Sequence, residues 1–290
     1  MALPRTLTRH PDLRDLAVGA GADAWAGVEA RPTGEARGTA LLLPGFTGSK
    51  EDFLPLLPLL AAGGVRAVAV DLRGQYESPH ADRPEGYAVE QLAAEVAERA
   101  ASLGDGPVHL LGHSFGGLVA QEAARAAPGA LASLTLLCTG PGALPPGART
   151  DDAELLLAAL PGVPLDQAWE LKQAHEAAGA PAPGTPAPEV QEFLQRRWVR
   201  SAHEGYLVMA RELVSRPDTV DELAAVLRAA GVPVLVAHGA DDDAWTPEQQ
   251  ADMARRLGAR YVVVPDAAHS PAYEAPEATA RVLLGHWLGA

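Results

Sequence analysis

Short, unbroken apolar runs separated by longer amphipathic stretches constrain this chain more than any other feature. The runs Ala40–Leu43, Arg66–Val70, Val108–Leu111, Leu134–Leu137, Val234–Ala237 and Tyr261–Val264 are continuous rather than alternating. Strands read that way when helices cover both faces of a parallel sheet. Between them lie helical patterns. Val89–Leu103 repeats apolar residues at Leu92, Val96, Ala100 and Leu103, with its charges on the other side. Phe115–Ala127 is rich in alanine and stops at Pro128-Gly129. Strand–helix–strand order of this kind predicts an α/β fold with a doubly wound, mostly parallel sheet. Trp25–Ala30 is expected to add an antiparallel strand at the edge.

The rhythm breaks between about Pro141 and Val232. Only helical segments are legible there, at Asp151–Leu160, Leu165–Ala178, Glu189–Ala202 and Tyr206–Val214, and the proline-rich spacer Pro181–Pro188 divides them. A last helix, Asp221–Ala230, leads back toward the sheet. Open α/β sheets bind ligands at their strand ends, so this stretch is expected to be a helical cap over them. The expected domains are a core of residues 1–140 and 232–290 and a cap of residues 141–231.

Composition excludes more than it identifies. Acidic side chains outnumber basic ones 37 to 23, a formal net charge of −14. That charge repels polyphosphate backbones and anionic lipid surfaces, so neither nucleic acid nor membrane insertion is expected. The apolar run near Leu54–Val65 carries Pro55, Pro58 and a Gly-Gly pair and is too short to span a bilayer. The single cysteine, Cys138, closes an apolar run and reads as a small buried hydrophobe. With no internal disulfide to form and no signal-like leader in the first residues, the expected location is cytoplasmic.

The chemistry enters at Gly112-His113-Ser114-Phe115-Gly116, between the strand Val108–Leu111 and the helix from Phe115. This is a G-x-S-x-G elbow in its required strand–turn–helix context. Side chains two positions either side of the serine would collide with nearby backbone. The serine takes a strained conformation that lifts its oxygen clear, in front of the free N–H groups of the helix start. A hydroxyl needs a base to become a useful nucleophile. Of the nine histidines, His269 follows the last strand on a loop able to fold over the strand ends. His113 adjoins the serine and is expected to point away from it, and His238 to serve packing or hydrogen bonding. The base needs a carboxylate to fix its tautomer, and Asp241, Asp242 and Asp243 follow the strand Val234–Ala237. The chain order serine, acid, histidine differs from that of chymotrypsin and of subtilisin.

On these motifs the chain, from about Gly38 to Leu288, resembles the α/β-hydrolase superfamily. The resemblance implies that fold, with a helical cap inserted after the sixth strand, and a serine hydrolase with Ser114 as nucleophile and His269 as general base. The family's G-x-x-D spacing selects Asp242 as the acid, with Asp243 next because Thr246-Pro247 is displaced by one residue, and Asp241 third. It further implies an oxyanion hole from the backbone N–H groups of Phe115 and of Phe46, the latter in the loop Leu43–Gly48. Asp71–Ser78 is similar to the family's D-x-R-G-x-G-x-S loop, with Gln75 in place of a common histidine or aromatic and Tyr76 in place of the second glycine. Arg73 is expected to pair with Asp71 or another nearby carboxylate. Trp169, Trp198, Tyr206 and Met209, with Phe193 and Leu207, are candidates for lining the pocket or for packing cap helices together. The expected activity is cleavage of carboxylic esters, with thioesters or lactones next, on a small-molecule acyl substrate. Carbon–carbon bond hydrolysis, elimination, peracid formation and a slow-turnover binding protein remain open. No metal spacing, P-loop or dinucleotide fingerprint is legible, so no cofactor is implied, and the oligomeric state is left undetermined.

Overall fold

A computed structural model describes residues 7–104, 106–178 and 187–289. The chain opens with a hairpin, β1 (Arg14–Val18) and β2 (Trp25–Ala30), then enters β3 (Thr39–Leu43), α1 (Leu57–Ala62), β4 (Arg66–Val70), α2 (Val89–Ser102), β5 (Val108–His113), α3 (Phe115–Ala126) and β6 (Leu131–Leu137). Five helices follow without a strand: α4 (Ala148–Ala159), α5 (Leu165–Ala178), α6 (Pro188–Arg200), α7 (His203–Ser215) and α8 (Val220–Ala230). The alternation then resumes with β7 (Val234–Gly239), α9 (Pro247–Leu257), β8 (Arg260–Val264), α10 (Pro271–Glu274) and α11 (Pro276–Trp287).

The eight strands form one sheet in the order β1-β2-β4-β3-β5-β6-β7-β8. Only the β1–β2 and β2–β4 pairings are antiparallel. Period-two alternation divides each central strand between two cores. Leu41, Leu43, Val68 and Val70 face the layer of α2, α3, α8 and α9, while Ala40, Leu42, Ala67 and Ala69 face α1 and α11. Both faces are covered, which is why the strands read as unbroken apolar runs.

One sequence expectation needs correction. Trp25–Ala30 is a strand and is antiparallel, but it is not the edge; β1 lies outside it. β1 opens on Arg14 and Asp15, and no apolar run marks it. Counting it makes Leu131–Leu137 the sixth strand. Helix α8 buries Val220, Leu223, Ala224 and Leu227 in the same cluster as α3 and α9, and α7 adds Met209 and Leu213 to it. Among the described residues, helices α4, α5 and α6 contribute none to that cluster. Part of the proline-rich spacer, residues 181–186, lies outside the described residues.

Topology selects where a ligand could bind. After β3 the chain passes to β4 on one side and then to β5 on the other. Loops leaving the carboxyl ends of β3 and β5 therefore diverge and leave a crevice between them. The loop after β3 begins at Pro44, and the elbow closes β5.

Candidate active site

The elbow is built by close approach. A Cβ on Gly112 would stand 2.2 Å from the carbonyl oxygen of Gly116, and one on Gly116 would stand 2.4 Å from that of Pro44. Both clashes are with backbone, so only glycine fits. Ser114, between them, has φ 54° and ψ −121°, a left-handed conformation that a serine adopts only under constraint. Its N–H donates to Leu137 O (3.0 Å) and its C=O accepts from Gly117 N–H (2.8 Å), which pins the turn on both sides.

The Ser114 hydroxyl lies 3.0 Å from Nε2 of His269, and Nδ1 of His269 lies 2.7 Å from Oδ1 of Asp242. A carboxylate can only accept, so Nδ1 carries the proton and donates; Nε2 is then the acceptor that faces the serine hydroxyl. Burial pushes the Asp242 carboxyl up, and the His269 ring with the Ala244 N–H and Gln250 draws it down further, below the usual carboxylate value. Asp242 stays ionised in a place with 0% side-chain exposure because each of its oxygens has a donor.

The three acidic candidates separate cleanly. Asp243 points to the surface and pairs with Arg149 at 2.5 Å. Asp241 is exposed, and its backbone N–H donates to Ala267 O. Asp242 alone reaches the imidazole.

Four residues that support this relay were not picked out as such from the sequence. Gln250 Nε2 donates to Asp242 Oδ2 and to Trp245 O, both at 3.0 Å. Glu274 Oε2 accepts from the N–H groups of Ala268 (2.7 Å) and Ser270 (3.1 Å), bracketing His269. His113, expected to point away from Ser114, bonds the loop that carries the base: its Nε2 donates to His269 O at 2.6 Å, with the two rings 5.1 Å apart. Burial, and then repulsion from His269, lower its pKa to about 4, so it acts as a neutral donor. The fourth is Gln75, whose Nε2 donates to Gly45 O (2.8 Å) and Phe46 O (3.3 Å). Only Gln75 left a signal, its departure from the family's usual residue.

The loop after β3 runs against the nucleophile; a Cβ on Gly45 would lie 3.2 Å from Ser114 Cβ and 3.6 Å from its Oγ. Phe46 and Phe115, the two expected oxyanion donors, thus flank the elbow, one on this loop and one at the first position of α3. Arg73 pairs with Glu95 (2.7 Å), while Asp71 pairs with the buried Lys50 (2.9 Å).

The expected pocket residues divide. Trp198 stacks on Tyr206 (4.5 Å between centroids), Trp169 tilts against Trp198, and Tyr206 meets Phe46 edge-on. With Thr47, Lys172, Leu194 and Arg197 these three line a cavity of about 20 Å³, room for one water. Met209 belongs instead to the cluster above the sheet. A second cleft of about 210 Å³ lies beside Asp242 and Asp243, between Arg149 and Trp245. Ser114 lines neither. Ligand-type atoms of His113, Cys138 and His269, and of Asp242, Asp243 and His269, lie within 4.8 Å of each other. Both groups include His269, whose two ring nitrogens are already engaged by Ser114 and Asp242. Burial raises the Cys138 thiol well above its usual value, as suits an inert core side chain. No helix among the described residues is long and apolar enough to cross a membrane.

Comparison with known proteins agrees with this geometry. Residues 40–282 match the model of the alpha/beta hydrolase family. A pimeloyl-[acyl-carrier protein] methyl ester esterase from Methylococcus capsulatus is 32% identical over 241 residues, 75% of this chain and 82% of its own. A Variovorax paradoxus protein named for carbamate hydrolysis is 37% identical over 125 residues, 43% of this chain; the chain spans about half (47%) of that relative's length. Among solved structures, a thermophilic esterase from Thermogutta terrifontis with malate bound superposes with a TM-score of 0.68 at 26% identity, covering 96% of this chain and 98% of the other. A matched stretch of this length, over a sheet of this order with an elbow at its switch point, means that the chain belongs to the alpha/beta hydrolase family.

Proposed function

We propose that this hydrolase cleaves carboxylic esters of small to medium acyl groups through an acyl-enzyme on Ser114. The observation that carries the reading is the continuous relay from Ser114 through His269 to Asp242 at 3.0 and 2.7 Å. As the Ser114 oxygen bonds to the ester carbonyl carbon, its proton passes to His269 Nε2. The Asp242 carboxylate stabilises the imidazolium through Nδ1–H. Negative charge then develops on the former carbonyl oxygen, where the N–H groups of Phe46 and Phe115 serve as donors. Collapse of this intermediate breaks the bond to the alcohol, which leaves with the proton from His269. Water enters, gives a proton to the same nitrogen and attacks the acyl carbon; as the bond to Ser114 breaks, His269 returns that proton to the serine oxygen and the acid leaves.

Helices α4 to α7 act in this reading as a cap. Tyr206 rests on the loop after β3, and the α6–α7 junction bonds the loop after β4 through Ala202 N–H to Gly74 O at 2.7 Å. Under its aromatic cluster the cap leaves space for a single water. The esterase relatives support ester chemistry.

The test is mass spectrometry of the intact protein after mixing with p-nitrophenyl esters of graded chain length. The expected result is a mass increase equal to the acyl group, mapping to the peptide that holds Ser114. In Ser114→Ala the adduct is absent and turnover falls about a million-fold, as when a serine triad loses its nucleophile. Near-wild-type turnover in that variant would sink the assignment.

A further inference from the structure

The loop after β4 carries one buried amide side chain that the reaction scheme leaves unused. Gln75 has 2% exposure. One end, Nε2, donates to Gly45 O at 2.8 Å and Phe46 O at 3.3 Å; the other, Oε1, accepts from Leu72 N–H at 3.0 Å. Carbonyls at one end can only accept and an N–H at the other can only donate, so the amide has a single satisfied orientation.

Gly45 O and Phe46 N–H belong to the same peptide unit. In a planar trans peptide the C=O and the N–H point in opposite directions, and no peptide among the described residues is cis. Drawing the Gly45 oxygen toward Gln75 therefore turns the Phe46 N–H away from Gln75. Gly45 faces the elbow: a Cβ added there would lie 3.6 Å from the Ser114 oxygen. We infer that Gln75 is the positioning residue of the oxyanion hole, aiming the Phe46 amide at the oxygen that becomes charged; the inference rests on the acyl-enzyme reading of Ser114.

Gln75 is itself held firmly enough to do this. The carbonyl before it, Gly74 O, accepts from Ala202 N–H at 2.7 Å, and the amide after it, Tyr76 N–H, donates to Ser201 Oγ at 3.0 Å. Its own N–H donates to Leu72 O at 2.8 Å. The Gly45 carbonyl also accepts from Gly48 N–H at 3.1 Å within its own loop, so Gln75 is the tie that fixes this peptide plane from outside the loop. A plane held from both sides is set before substrate arrives, which is how preorganised donors gain their effect.

The experiment uses the whole chain, p-nitrophenyl acetate as substrate and phenylboronic acid as a tetrahedral mimic that bonds to a serine and places an oxygen in the oxyanion site. Gln75→Glu keeps the volume and the acceptor for Leu72 N–H but loses the donor; Gln75→Leu loses both. The expected result is a 10- to 100-fold fall in kcat, less than full loss of a donor because the amide itself remains. KM stays within about two-fold, and the inhibition constant of the boronic acid rises by a factor similar to the kcat loss. A purely structural glutamine would lower thermal stability without separating kcat from KM or weakening the mimic selectively. In unmodified protein, where folding is not in question, the Phe46 amide proton is expected to move downfield when the boronic acid binds. Folded variants with kcat and boronate inhibition within two-fold of wild type, or a Phe46 proton that does not move, would overturn the inference. If the unmodified protein neither turns over the ester nor forms the boronate adduct, the Ser114 reading is what fails.

Discussion

Helices α3 and α4 have twelve residues each and are made mostly of small or aliphatic residues, yet they are different objects. In α3, ten residues are buried, from Phe115 through Ala124; in α4, Ala153 alone is. α3 is wedged between the sheet and the helices α2 and α8, so nearly every side chain has a fixed neighbour. α4 lies on the outside and packs against α7, with its other faces open to solvent. The relay stands on elements of the first kind, strand ends and loops locked by backbone hydrogen bonds. Helices α6 and α7 lie between these extremes, each with five buried residues, and α6 meets the core through ion pairs such as Arg197–Asp52 at 2.7 Å. The relay is thus fixed by backbone geometry.

After loss of the nucleophile itself, the largest expected effect tests how finely the rim discriminates between neighbours. Asp242→Asn keeps the shape of the acid but presents an amide to His269 Nδ1, which favours the wrong tautomer. Turnover of p-nitrophenyl acetate is expected to fall on the order of 10,000-fold, as in triads that lose this carboxylate. Asp243→Asn removes only a surface pair with Arg149, and turnover is expected to stay within about three-fold. Steady-state kinetics on the two variants decides between them. Equal effects would mean that adjacent acids share the role and that the rim is less rigid than its hydrogen bonds indicate.

That same rim explains what the sequence could disclose. Ser114, His269 and Asp242 were legible because the elbow, the post-strand loops and the chain order are local features tied to strand ends. Strands β3 to β7 were legible because double-sided burial writes itself as an unbroken apolar run. The two edges differ: β8 and β1 share one exposure pattern, but β8 carries the run Tyr261–Val264 while β1 opens on Arg14 and Asp15 and carries no such mark. Gln75 acts on a neighbour brought close only by the fold, 30 residues away at Gly45. Gln250 and Glu274 act locally, on Asp242 and on the peptides beside His269, but no motif marks such side-chain contacts. Met209 looked like its aromatic companions in the cap but faces the sheet, because helical periodicity gives a face without saying what lies opposite. The elbow pattern gives His113 no direction in space, and it turns toward His269 because the carbonyl there needs a buried donor.

An acid titration separates the two regions on stability rather than rate. His109 in β5 donates or accepts at Ser133 Oγ (2.8 Å), stacks on Trp287, and has its pKa lowered to about 4 by burial and then by His286. His113 is lowered to a similar value by burial and then by His269. A histidine whose folded pKa lies below its unfolded value of 6.5 leaves the unfolded chain binding more protons between those two values. Stability is therefore fully present above about pH 6.5 and is lost as the pH falls toward 4. At pH 5 each ring contributes a loss on the order of 1–2 kcal/mol relative to pH 7. Urea unfolding at both values should show it, and His109→Gln should recover about half. An unchanged pH slope in that variant would place the acid-labile groups elsewhere.

The smallest expected effect falls on the outside of the cap. Leu171 on α5 is 60% exposed and Leu155 on α4 is 48% exposed, so neither loses much contact when made polar. Leu171→Ser and Leu155→Ser are each expected to change unfolding free energy by less than about 0.5 kcal/mol, the usual range for surface positions. Turnover of p-nitrophenyl acetate should stay within two-fold, since no part of the relay touches these side chains. Leu118 in α3, of the same residue type at 1% exposure, has no such tolerance; truncating a buried leucine costs about 2–5 kcal/mol. The informative departure would be a long-chain ester whose kcat/KM drops in the α5 variant while the acetate rate holds. That outcome would mean the outer cap surface turns inward when a long acyl chain is bound, and that the contrast between the two layers holds only for the closed form.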